Sequence, residues 1–134
     1  MGNAYRDRIR GNRAENLELA IASYQQALEV RTREAFPEQW AMTQNNLGNV
    51  YSEQIQDDRA QNLEKAIASY QQALEVRTRE AFPEQWAGTQ NNLGNAYRDR
   101  IRGNRAENLE LAIASYQQAL EVRTREAFPE QWAM

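Results

Sequence analysis

Asparagine is the residue type most suggestively placed in this chain. Asn45 and Asn49, followed by Ser52 and Glu53, return one repeat later as Asn91 and Asn95, followed by Arg98 and Asp99; near the start, Asn3, Arg6 and Asp7 hold the corresponding places. Each side-chain amide carries a donor and an acceptor. A ladder of them can therefore pair with the N–H and C=O groups of an extended peptide without demanding its sequence. The competing reading is that these amides are solvated, or bond neighbouring helices.

Other chemistries are removed by what is missing. The 134 residues include no Cys and no His, which excludes disulfides, thiolate catalysis, imidazole bases and His- or Cys-ligated metals. Paired carboxylates remain at Asp57 and Asp58 and in the Glu-rich junctions. General acid–base work needs a carboxyl group of raised pKa in a closed pocket, and these lie in polar turns. A non-enzyme without metal or cofactor is expected. Lys and Arg number 16 against 19 Asp and Glu, a net charge of -3, which argues against nucleic-acid and anionic-membrane partners. The apolar runs are short, and Met1 is followed by Gly2-Asn3-Ala4-Tyr5-Arg6. A soluble, cytoplasmic protein with neither transmembrane span nor signal peptide is expected.

The elements that must position the amides follow from a repeat. Leu47-Gly48-Asn49 returns as Leu93-Gly94-Asn95, and Phe36-Pro37-Glu38-Gln39-Trp40 returns at Phe82 and Phe128, a period of 46 residues. The units are 1–46, 47–92 and 93–134; the first two differ at 11 of 46 places. Such near-identity points to a recent duplication or an engineered array. In each unit two segments show helical periodicity. Leu63, Ala66, Ile67, Tyr70, Ala73 and Leu74 form one apolar stripe, which defines helix B. Asp58-Arg59-Ala60-Gln61 reads as its capped start, with Asn62 the alternative cap. Its end is expected near Phe82, because Pro83 disfavours helix in the residue before it; the same proline then opens the next helix. Helix A of unit 2 is thus expected from about Pro37 to about Gln56, with Trp40, Leu47, Tyr51 and Ile55 on the core face and the asparagines opposite. Gln56-Asp57-Asp58, and Arg10-Gly11-Asn12 in unit 1, read as turns of antiparallel hairpins. Strands have little support. A coiled coil, the structural runner-up, loses because a proline and a turn interrupt every unit.

These residues resemble the tetratricopeptide repeat family. Leu47-Gly48 with Tyr51 on helix A, and Ala66, Tyr70 and Ala73 on helix B, look like its signature of small and large residues. The resemblance covers nearly the whole chain and is greatest to the longer repeats of kinesin light chains and of bacterial effector-associated arrays. It implies an all-α fold of tandem hairpins stacked as a right-handed α-solenoid, with helix A lining the concave side. Gly48, Ala66 and Ala73 would let helices approach, while Tyr51 and Tyr70 fill the space between units. The period exceeds the common 34 residues, and Gln44 stands where the family often has a large apolar residue, a place that Trp40 is available to fill.

On this frame the expected function is protein–protein interaction: an extended peptide bound in a groove lined by Asn3, Arg6, Asn45, Asn49, Ser52, Asn91, Asn95 and Arg98. A clamp for a peptide carboxylate is not expected, since the matching places hold Asn3, Asn46, Asn95 and Asp99 without cations. The arginine strings Arg6-Arg8-Arg10 and Arg98-Arg100-Arg102 do not share one direction round a helix and read as solvated face and turn. Glu29–Arg33, Glu75–Arg79 and Glu121–Arg125 are spaced for weak i, i+4 pairs, and Trp40, Trp86 and Trp132 read as core anchors. The alternative is a self-assembling array, joined end to end or by helix exchange into a homo-oligomer. It would use the apolar stripe of the last helix B, Leu109, Ile113, Tyr116 and Leu120, with Trp132 from the complementary end.

Overall fold

The computed structural model describes residues 2–55 and 58–127, with side chains from residue 12 onward. Five helices follow one another: α1 (Gly2–Val30), α2 (Pro37–Glu53), α3 (Arg59–Val76), α4 (Pro83–Asp99) and α5 (Arg105–Ala127). Each helix packs on the next in sequence, and α2 also touches α4. The result is an all-α stack of hairpins, α2 with α3 and α4 with α5.

Local chemistry sets most of the boundaries. Pro37 and Pro83 each occupy the first turn of their helix, after Phe36 and Phe82 held at φ near -137°, where the missing N–H costs nothing. The Asp58 side chain caps α3 by accepting the Gln61 N–H at 3.0 Å, as expected. Asn104 does the same for the Glu107 N–H at 3.2 Å. Arg59 then donates to the carbonyls of Ser52 and Gln54, and Arg105 to that of Arg98, tying each hairpin across its turn. Gly103 has φ +84°, a conformation open to glycine at little cost.

Three boundaries differ from expectation. Residues 2–30 form one continuous helix with no turn at Arg10-Gly11-Asn12. The same 29-residue sequence at 94–122 folds as the end of α4, a turn and most of α5. There the first half is the end of a helix begun at Pro83 and packed on α3, whereas in α1 backbone hydrogen bonding runs on without a break. Second, α3 stops at Val76, short of Phe82. Thr78 starts a turn, accepting from the Ala81 N–H at 3.3 Å and the Phe82 N–H at 2.9 Å, and buried Arg77 reaches Glu38 of α2 at 3.1 Å. Third, α2 ends at Glu53, so Ile55 lies beyond it and is exposed.

The core runs between hairpins. Leu47, Tyr51, Ile67, Tyr70, Leu93 and Tyr97 are buried together, with Ile21, Tyr24 and Leu28 of α1 packed against them. A Cβ on Gly48 would sit 2.5 Å from the Tyr70 ring, and one on Gly94 2.7 Å from Tyr116, so glycine permits the close approach within each hairpin. Gln44 is buried and donates to Gln72 at 3.0 Å; Gln90 repeats the bond to Gln118 at 3.3 Å. The place of a large apolar residue is thus filled by an amide bridge and not by Trp40. Trp40 and Trp86 are only half-buried and lie under Arg33 and Arg79.

Candidate functional site

Asn45, Asn49 and Ser52 fall on one face of α2 and meet α4. Asn49 accepts from the Tyr70 hydroxyl at 2.6 Å, which also lies 3.4 Å from Ser52 Oγ; Asn95 accepts from Tyr116 at 2.5 Å. Asn45 accepts from Thr89 at 3.0 Å and from Asn92 at 3.4 Å. The competing reading therefore holds for one half of each of these three amides, since their oxygens bond neighbouring helices. Between α2 and α4 lies a cavity of about 150 Å³, lined by Asn49, Ser52, Glu53, Asn92, Asn95 and Asp99 with Tyr70 beside them. Burial pushes the Tyr70 hydroxyl up to about 12, so it stays a neutral donor.

The charges at this cavity are paired. Arg13 reaches Glu53 at 3.2 Å and Arg98 reaches its neighbour Asp99 at 3.1 Å. Arg98 is thus neutralised locally. Asn91 is half-buried and outside the cavity lining; the next residue, Asn92, lines it instead. Periodicity does not point to Asn92, because it pairs Asn45 with Asn91, whereas across the two helices Asn45 meets Thr89 and Asn92. The side chains of Asn3 and Arg6, and all of Trp132, lie outside the described residues; positions 3 and 6 belong to the continuous α1 and not to a separate helix A.

Arg33, Arg79, Arg100 and Arg102 tie one repeat to the next. Arg100 donates to both Glu64 oxygens, at 2.8 and 2.9 Å, and Arg102 to Gln61 at 2.8 Å. Arg33 pairs with Glu75 at 2.7 Å and Arg79 with Glu121 at 2.8 Å. None of the expected pairs Glu29–Arg33, Glu75–Arg79 and Glu121–Arg125 forms: Arg33 and Arg79 lie in turns beyond the ends of α1 and α3, and Glu121 is taken by Arg79.

The apolar stripe of α5 divides. Leu109, Ile113 and Leu120 are 38%, 53% and 64% exposed. Tyr116 instead turns into the hairpin, against Gly94 and Asn95. On α3 the equivalent Leu63 and Ile67 are only 1% and 5% exposed, because α4 covers them.

These features define a scaffold of stacked helical hairpins whose polar side chains serve surfaces. Residues 40–81 and 86–127 each match the tetratricopeptide repeat family model, and the chain belongs to that family. Repeats of this family mediate protein–protein interaction on a non-enzymatic scaffold. No curated protein and no solved structure gives a significant match to the chain. Among the described residues no helix is long and apolar enough to cross a membrane.

Proposed function

We propose that the chain binds an extended peptide along the face where α2 meets α4, with Asn49, Ser52, Asn92 and Asn95 as its polar contacts. The observation that supports this is the small polar cavity between those helices. Asn49 and Asn95 have committed their oxygens to tyrosine hydroxyls, which fixes each rotamer and leaves the amide N–H groups to donate to peptide carbonyls. Glu53 and Asp99 supply acceptors for peptide N–H groups. With Arg98 held by Asp99, the site has no preference for an acidic segment.

The test uses peptides selected on this chain from a random library. Asn49→Asp with Asn95→Asp keeps both acceptors for the tyrosines and removes both donors, so peptide binding falls about tenfold or more while thermal stability changes little. Unchanged binding overturns the reading. A second reading, self-assembly of copies of the chain, is favoured by one observation, the exposed stripe of α5.

A further inference from the structure

We infer that the cavity between α2 and α4 takes a basic side chain, lysine or arginine, of the bound peptide, with its cation held by Glu53 and Asp99. The inference deepens the peptide-binding reading and rests on it.

The lining favours a cation. Glu53 and Asp99 stand one repeat apart, each the last residue of its helix, and no lysine or arginine joins them in the cavity wall. The C-terminal ends of both helices add partial negative charge, which Arg59 and Arg105 meet from outside that wall. Burial is the main cause of the raised Tyr70 hydroxyl, and the charge of Glu53 adds to it, so this charge is felt at the inner wall. Ala96 and Tyr70 line the same cavity. A lysine or arginine matches this division, with its apolar stem along Ala96 and Tyr70 and its charged head among the polar groups. A volume of about 150 Å³ is the space of about five waters, room for one such side chain.

The chain itself shows that both carboxylates take guanidinium groups. Arg13 donates to one oxygen of Glu53 at 3.2 Å, and Arg98 spans the two oxygens of Asp99 at 3.1 and 3.4 Å. Neither carboxylate is saturated. Glu53 Oε1 accepts no hydrogen bond among the described residues, and each Asp99 oxygen keeps a second lone pair. The four side chains are between 42% and 64% exposed, and ion pairs so exposed are weakly held. A peptide cation can therefore join or displace either arginine. An acidic side chain would meet two like charges, which sets the cavity against it.

Peptides panned from a random library on the whole chain, with binding read by fluorescence anisotropy, test this. The selected sequences should share one position held by lysine or arginine. Replacing that residue by alanine should weaken binding about tenfold, and replacing it by glutamate should weaken it further. Added salt should narrow the difference between the basic peptide and its alanine version. On the protein side, Glu53→Gln with Asp99→Asn keeps size and side-chain acceptors while removing both charges at exposed positions. This variant should keep the wild-type circular dichroism and lose about tenfold more binding for the basic peptide than for its alanine version. Equal losses for the two peptides, or selected sequences with no shared basic position, would overturn the inference. The groove is read separately on the alanine version, where Asn49→Asp with Asn95→Asp removes the amide donors and no peptide cation answers the added charge. A loss there, beside equal losses in the first variant, would leave the peptide reading standing without its basic side chain. Unchanged binding in both variants, or no selected peptide at all, would overturn the peptide reading as well.

Discussion

Residues 59–76 of α3 and 105–122 of α5 differ at only two positions, Gln61 against Glu107 and Lys65 against Leu111, yet they occupy different environments. α3 is held by α2 on one side and α4 on the other; among the described residues α5 is held by α4 alone. Leu63 and Ile67 are consequently buried where Leu109 and Ile113 are exposed, and Arg77 is buried on Glu38 where Arg123 is exposed. The burial of a helix in this array is a property of its neighbours, as nearest-neighbour stacking requires. The largest expected effect follows. Leu63→Ala removes a side chain packed on all sides and should cost about 2–5 kcal/mol, a large share of the stability of a small domain. Leu109→Ala should cost under about 1 kcal/mol. Equal losses in urea unfolding would break the comparison.

A smaller contrast sits inside the hairpins. Gly48 faces the Tyr70 ring, which is fully enclosed and held at its hydroxyl by Asn49 and Ser52. Gly94 faces Tyr116, which is half-buried beside an uncovered stripe. Overpacking should make Gly48→Ala cost about 1–3 kcal/mol. Gly94→Ala should change stability by less than about 1 kcal/mol, because the Tyr116 ring can swing outward and alanine favours the helix. Thermal unfolding of the two variants separates them, and equal shifts would mean that the enclosure of Tyr70 adds no rigidity.

Much of this architecture is legible in the sequence. The prolines at 37 and 83, the Asp58 cap and the stripe of helix B each act within a few residues, so their type and spacing suffice. The form of α1 is not legible, because the same residues fold in two ways, as one helix at 2–30 and across a turn at 94–122. The same limit applies to Arg33 and Arg79, whose partners lie a full repeat away. At the candidate site the asparagine face of α2 can be read from helical spacing. Asn92 cannot, because the offset between α2 and α4 depends on how the hairpins stack. The division of the α5 stripe is hidden for a related reason: Tyr116 shares the spacing of its neighbours, yet Gly94 opens room for it inside the hairpin.

The smallest effect concerns charge. Glu64 of α3 is gripped by Arg100, whose hydrogen bonds hold its carboxyl below the ordinary value of 4.5 against the opposing effect of burial. A carboxyl group whose pKa is depressed by folding stabilises the protein above its unfolded value and loses that contribution as the pH falls through its folded value. The pair should therefore stabilise the contact between α3 and the end of α4 at neutral pH, and progressively less below about pH 4.5. Glu64→Gln should lower stability by under about 1 kcal/mol at pH 7 and flatten the acid limb of the curve. Glu110→Gln changes the equivalent residue of α5, which has no ion pair among the described residues, and in the single chain should leave both unaltered. Urea unfolding of the three proteins at pH 7 and pH 3, at concentrations where the chain is single, reads the difference. If Glu64→Gln and wild type lose the same stability on acidification, the ion pair adds nothing to the repeat interface, and the contrast between α3 and α5 rests on apolar burial alone.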